Sequence, residues 1–250
     1  LIHKAGAPLT VLHGGSNVLI RDGGIRGVVM VLRNMKEHLD VDGQTLRVSA
    51  GYMLKDASEF ARDNTLTGLE FAVGIPGSLG GAVFMNAGAY EGQMSDVVSA
   101  VCAVALDGTV KKYQANQLDF SYRHSLFHDN GEVIAEVYLT LRPGHEQHIS
   151  AHMADLTERR ESKQPLEFAS AGSTFKRPPG YFAGTLIEQT GLKGLSVGDA
   201  QVSEKHAGFV INRGTASCQD VLGLIHEVQR RVKKEHGVDL ETEVRILGEE

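Results

Sequence analysis

Two glycine-rich segments and a set of cations are the parts of this sequence best suited to chemistry. Gly14-Gly15-Ser16-Asn17 lies between two short apolar runs, Leu9 to Leu12 and Val18 to Ile20. A strand, a turn of small polar residues and a second strand line up successive backbone N–H groups into an anion-binding nest that a pyrophosphate would fit. An ordinary hairpin turn is the alternative reading. The second segment, Gly74 to Tyr90, reads GIPGSLGGAVFMNAGAY and holds five of the 29 glycines, yet Ala82, Val83, Phe84 and Met85 within it are apolar enough to be buried. Glycine admits positive φ and lets another group approach where a Cβ would stand. Such a loop therefore suits close wrapping of a bulky flat or anionic ligand, or else a tight crossover with no ligand. Its G-x-x-G-x-x-G spacing is neither the dinucleotide fingerprint nor a P-loop. Arg159, Arg160 and Lys163 crowd the end of a helical stretch, where cations complement the helix dipole or meet an anion. Ser173 stands between Gly172 and Thr174 outside any G-x-S-x-G pattern, a poor match to a hydrolase elbow.

Short strands and a few helices must position these residues. Val28 to Leu32 reads as a buried strand, and Leu46 to Ser49 as another. Leu54 to Asn64 has helical spacing with Leu54, Ala57, Phe60 and Ala61 on one face. Val98 to Leu106 and Thr109 to Tyr113 form a hairpin about Asp107-Gly108, with Cys102 in its core. Val133 to Leu141 is a strand stopped by Pro143-Gly144, which divides a portion 1–144 from a portion 145–250. A polar helix follows from Gln147 to Lys163, turning Met153 and Leu156 inward and ending before Pro165. Phe182 to Thr190 is a short helix capped at Gly191, and Phe209 to Ile211 a strand. Ser217 opens a long amphipathic helix with Asp220 in its first turn, Val221, Ile225, Val228 and Val232 on the buried face, and Gly237 at its end. In a last strand, Leu240 to Leu247, Glu243 and Arg245 share the face opposite Val244.

The length of 250 residues allows one large or two medium domains, and 42% hydrophobic with 22% charged residues describes an ordinary globular chain. A net charge of -6 without basic blocks argues against a nucleic-acid surface. Cys102 and Cys218 have no metal or redox spacing, so no metal site is predicted and a cytoplasmic location is the simpler reading. No apolar run reaches membrane-spanning length and no signal peptide is evident. The chain opens on Leu1, already inside an element, which reads as an N-terminal truncation.

Taken in order, GGSNVLI, GIPGSLGGAVFMNAGAY, SYRHSLF, AGSTFKRP, the GLKG of Gly191 to Gly194 and LETEVRILG resemble one family, the UDP-N-acetylenolpyruvoylglucosamine reductases of peptidoglycan synthesis. Each motif is weak alone; six in consistent order are specific. The resemblance implies an α+β fold, an FAD-binding portion of the vanillyl-alcohol-oxidase (PCMH) type followed by an α+β substrate-binding domain whose last strand returns to the flavin site. It implies non-covalent FAD, NADPH as reductant and UDP-N-acetylglucosamine-enolpyruvate as substrate, with no nucleic acid, membrane or obligate protein partner. By the same resemblance, Gly14, Gly15, Ser16 and Asn17 hold the FAD pyrophosphate. Gly74, Ile75, Pro76, Gly77, Ser78, Gly80, Gly81, Asn86, Gly88 and Ala89 wrap the rest of the cofactor. Arg123, Ser173 and Glu243 form the catalytic set, and Arg160, Lys163, Lys176, Lys193 and His206 face the substrate.

The chemistry fits that assignment. Hydride delivery to the terminal methylene of an enol ether leaves negative charge on the neighbouring carbon and its carboxylate, which calls for a fixed cation or donor such as Arg123 or a protonated or cation-bridged Glu243. The carbon then needs a proton, which a hydroxyl held in contact, Ser173, can give with help from a neighbour or a water relay. Three features depart from the family pattern. Its members carry a segment ahead of Leu1, His13 replaces a glycine before the nest, and the short interval from Arg123 to Ser173 points to the branch lacking a tyrosine-bearing lid loop. A flavin oxidase of the same fold and a non-catalytic binding protein are the competing readings. The lysines suit a diphosphate, and His13 is the one candidate for covalent flavin attachment.

Overall fold

The computed structural model describes residues 1–250, which form two compact units: Leu1–Gly15 with Gly27–Arg160, and Ser16–Arg26 with Glu161–Glu250.

The first unit is built on a five-stranded antiparallel sheet in the order Val110–Gln114, Val98–Val104, Val133–Thr140, Thr45–Ser49, Leu39–Asp42. The hairpin read from Asp107-Gly108 forms, with Gly108 at φ +93° in its turn. Alternation along the strands puts Leu46, Val48, Val137 and Leu139 inside. Arg47, Glu136 and Tyr138 interact on the other face, where Glu136 accepts from Arg47 Nε at 2.7 Å and Tyr138 Oη at 2.6 Å. The helix Leu54–Asp63 buries Leu54, Ala57 and Ala61, and the short helix Leu79–Phe84 buries Leu79, Ala82 and Val83, in one apolar core with the sheet. Each such Leu or Val contributes on the order of 1.5–3 kcal/mol.

Leu9–Leu12 pairs in parallel with Val28–Val31. The strand predicted from Val28 exists, but it is not buried: Val29 is 38% and Val31 51% exposed, and only Leu32 beyond it enters the core. Apolar β-branched residues favour extended backbone whatever covers them, and this sheet has only two strands. Pro143-Gly144 is tied into the first unit, since Arg142–Pro143 pairs with Leu66–Thr67 and Gly144 N donates to Thr65 O at 2.8 Å. The following helix, Glu146–Lys163, buries Ile149, Met153 and Leu156, and the compact units part inside it at Arg160.

In the second unit the strands Ala169–Ser173, Phe209–Asn212, Ala200–Val202 and Ser196–Val197 make an antiparallel sheet. Its core combines Ile187 of the helix Ala183–Gln189 with Leu224, Ile225, Val228 and Val232 of the helix Cys218–His236. Ser217 and Asp220 cap that long helix reciprocally at 3.1 and 2.9 Å, and the Asp22 carboxylate accepts from the N–H groups of Cys218 and Gln219 at 2.8 and 3.0 Å. Gly237 ends it at φ +70°. The last strand is shorter than the pattern predicts. Only Arg245–Leu247 is regular, paired in parallel with Val18–Ile20. Residues 241–243 bond instead to the 174–176 segment, through Lys176 N to Glu241 O and Glu243 N to Thr174 O, both at 2.8 Å. One alternating run thus serves two successive partners. No helix is long and apolar enough to cross a membrane.

Candidate functional site

The two glycine segments meet backbone to backbone within the first unit. A Cβ on Gly14 would lie 2.8 Å from both Gly77 Cα and Ser78 N, so only glycine permits the approach. Gly15, at φ +69°, has open space before it. The His13 ring packs on Gly80, where an added Cβ would also meet Ala50 Cβ, and a Cβ on Gly81 would stand 3.3 Å from His13 Cβ. His13 Nδ1 is buried with no hydrogen-bond partner, and burial holds its pKa down at about 4, so the ring is neutral near pH 7. Asn17, within the second unit, is a strut: its Nδ2 donates to Glu243 O at 3.1 Å, and its own carbonyl accepts from Arg245 N at 3.0 Å.

The Gly74–Ala89 residues sort by exposure. Pro76 is exposed, and Gly74, Ile75, Gly81, Gly88 and Ala89 are half-buried, whereas Gly77, Ser78, Gly80 and Asn86 are buried within the protein. The carboxamide of Asn86 is held by protein partners: Nδ2 donates to Ser121 O at 3.0 Å and Oδ1 accepts from Ser95 N at 2.9 Å. The Ser78 hydroxyl is buried without a partner and does not cap the helix Leu79–Phe84 that it precedes. The open space before Gly15, at a turn of small residues whose N–H groups can line up toward an anion, fits a phosphate-bearing cofactor.

Two expected site cations lie on this same segment. Arg160 is half-buried with no carboxylate partner, its Cδ 2.9 Å from where a Gly74 Cβ would stand, and loss of hydration lowers its pKa. Arg123 sits in a tight turn at φ +56°, its Nη2 donating to Gly88 O at 3.3 Å. Next to it, His124 Nε2 pairs with Asp129 at 3.2 Å and its Nδ1 faces Asp119 O at 3.3 Å, so Asp119, His124 and Asp129 form a cluster that the sequence pattern did not suggest.

In the second unit, Ser173 follows an irregularity in strand pairing between Ser170 and Ser173, with Gly172 at φ +78°, and is exposed. Bulges of this kind re-aim side chains at functional sites. The Glu243 N to Thr174 O bond and the Phe175–Thr242 bridge place half-buried Glu243 on the segment beside Ser173. Of the expected substrate cations, Lys163 is exposed at its helix end. Lys176 pairs with Glu241 at 3.1 Å and Lys193 with Glu188 at 2.6 Å. Exposed pairs are worth about 0–1 kcal/mol and yield readily to a multivalent anion. His206 accepts from Gly208 N at 3.1 Å through Nδ1 and packs edge-on to Phe209. Burial first, and then the charge of Lys193, lower its pKa. Sequence reasoning passed over Arg177, whose guanidinium stacks on Phe182 at 4.0 Å; its place four residues after Ser173 was the available signal.

Known proteins share this architecture. Residues 1–114 match the family described as FAD binding domain, and residues 164–247 match that described as UDP-N-acetylenolpyruvoylglucosamine reductase, C-terminal domain. The UDP-N-acetylenolpyruvoylglucosamine reductase of Pediococcus pentosaceus is 51% identical over 97% of this chain and 81% of its own length. That of Geobacillus kaustophilus is 50% identical over 100% of this chain and 82% of its own. The crystal structure of the Thermus caldophilus UDP-N-acetylenolpyruvylglucosamine reductase superimposes with a TM-score of 0.86 at 37% identity, covering 98% of this chain and 88% of that one.

Proposed function

We propose residue roles from one premise: this chain belongs to the UDP-N-acetylenolpyruvoylglucosamine reductase family. It is an FAD-dependent oxidoreductase that reduces the enolpyruvyl ether of UDP-N-acetylglucosamine-enolpyruvate to UDP-N-acetylmuramate with NADPH, in peptidoglycan precursor synthesis. Its fold is an FAD-binding portion of the vanillyl-alcohol-oxidase type followed by an α+β C-terminal domain. FAD, when bound, supplies the two-electron store that no side chain provides.

In our reading the nest Gly14 to Asn17 receives the pyrophosphate. The accessible part of the second segment, Gly74 to Pro76 with Gly81, Gly88 and Ala89, receives the rest of the cofactor, and Gly77, Ser78, Gly80 and Asn86 shape that loop from inside. Residues 1–144 are assigned to the cofactor and 145–250 to the substrate. Arg123 opposes the negative charge that builds on the substrate carboxylate when hydride reaches the methylene carbon, and Glu243 contributes a second donor in its protonated or cation-bridged form. The Ser173 hydroxyl gives the proton to the adjacent carbon. Because a serine hydroxyl is a weak acid, that step needs a relay from a neighbouring group. Arg160, Lys163, Lys176, Lys193 and His206 engage the diphosphate and carboxylate of the substrate. In the same reading the reaction is cytoplasmic, where NADPH and UDP-sugars are at hand, and the chain acts without an obligate protein or nucleic-acid partner.

The observation that carries this reading is the backbone bond from Glu243 to Thr174, which sets Glu243 beside a bulged, exposed Ser173. Stopped-flow measurement of the two half-reactions tests it. Ser173→Ala should leave reduction by NADPH unchanged and slow reoxidation by the enolpyruvyl substrate about 10²–10⁴-fold, the usual worth of a general acid. Reoxidation at the normal rate would remove Ser173 from the mechanism.

A further inference from the structure

We infer that Asn86 and Ser125 are positioning residues for Arg123, joining the arginine turn to the glycine segment as one hydrogen-bonded body; the inference rests on the catalytic reading of Arg123. The chain reverses at Ser121–His124, where the two residues exchange both backbone bonds at 3.2 Å, and Arg123 between them has φ +56°. A non-glycine residue enters that region only when its surroundings over-determine it.

Three bonds supply the constraint. Asn86 Nδ2 donates to Ser121 O at 3.0 Å, Arg123 Nη2 to Gly88 O at 3.3 Å, and Ser125 Oγ to Phe84 O at 2.7 Å. The partners lie at residues 84–88, the end of the short helix and the bend after it. Asn86 is 2% and Ser125 0% exposed, so neither side chain is offered to a ligand. Asn86 is itself at φ +41°, a conformation that asparagine tolerates better than most side chains, and its Oδ1 is braced by Ser95 N. One buried side chain thus fixes the backbone two residues before Arg123 and another fixes it two residues after. A shift of about 1 Å in such a group costs on the order of a hundredfold in rate.

Asn86→Asp keeps the shape and the acceptor for Ser95 N but turns an acceptor toward the Ser121 carbonyl; Ser125→Ala removes the second tie. In the FAD-loaded protein, Ser125→Ala should reduce with NADPH within about twofold of the parent, while in both variants reoxidation by UDP-N-acetylglucosamine-enolpyruvate slows about ten- to a hundredfold. In an Arg123→Ala background either change should add less than about twofold, because a residue acting through Arg123 has nothing left to position. Losses that multiply in that background, or an unaltered reoxidation rate in both single variants, would overturn the inference. Undiminished reoxidation in Arg123→Ala alone would instead overturn the catalytic reading of Arg123. Should Asn86→Asp fail to fold or to hold FAD, Ser125→Ala carries the same cycle.

Discussion

His13 occupies a position where a proton has no place to go. Its side chain lies against Gly80 and Gly81, and its folded pKa is about 4 against 6.5 when unfolded. The unfolded chain therefore takes up a proton first. The stability contributed by neutral His13 is complete above pH 6.5 and is lost as pH falls toward 4, a difference of about 3 kcal/mol. Thermal unfolding followed from pH 7.5 to 4.5 should show a shallower acid decline in His13→Leu than in the parent; equal slopes would mean that the ring is solvated. Arg160 is the converse case, a half-buried cation with no carboxylate. Arg160→Met should raise the Tm of the ligand-free chain by roughly 2–4 °C, since removing an uncompensated charge stabilises by about 1 kcal/mol. The same change should weaken binding of the UDP-sugar by about tenfold or more, the worth of a charge-assisted hydrogen bond. Calorimetry without ligand and titration with substrate read the two effects separately.

Among the elements, the glycine contacts divide into those made by approach and those made by conformation. Gly14→Ala puts a methyl 2.8 Å from backbone atoms of Gly77 and Ser78, and backbone cannot rotate away as a side chain can. The predicted cost is about 1–3 kcal/mol, with loss of the yellow cofactor on gel filtration. Gly15→Asn, at φ +69° with open space ahead, should stay within about 0.5 kcal/mol of the parent in chemical denaturation. The long helix offers a second contrast. Its cap at Ser217 was legible from Ser217 and Asp220, but the Asp22 carboxylate that serves the next two N–H groups lies 196 residues away in sequence from Cys218. Ser217→Ala and Asp22→Ala should each lower stability by about 1 kcal/mol, read as a shift in the denaturation midpoint at unchanged slope.

For the molecule as a whole, the two compact units have separate apolar cores, one centred on Leu46, Leu79 and Val137 and the other on Ile187, Leu224 and Val228. Such a chain should unfold in more than one calorimetric step. Free FAD at a hundred times its Kd should stabilise the chain by about 2.7 kcal/mol, and a single calorimetric transition of the ligand-free chain would contradict two separately cooperative cores. Local pattern already determined the hairpin at Asp107-Gly108, the helix from Leu54, the capped helix from Ser217, and, through six ordered motifs, the family. These follow from periodicity, turn chemistry and residue type, which act between neighbours in sequence. What the fold alone decided depends on contacts between distant residues. Apolar Val28–Val31 stays largely exposed, residues 240–247 divide between two partners, and Lys176 and Lys193 close on Glu241 and Glu188. Asn86 faces the arginine turn from inside the protein, 35 residues from Ser121, because burial and hydrogen-bond partners are properties of packing that no local spacing encodes.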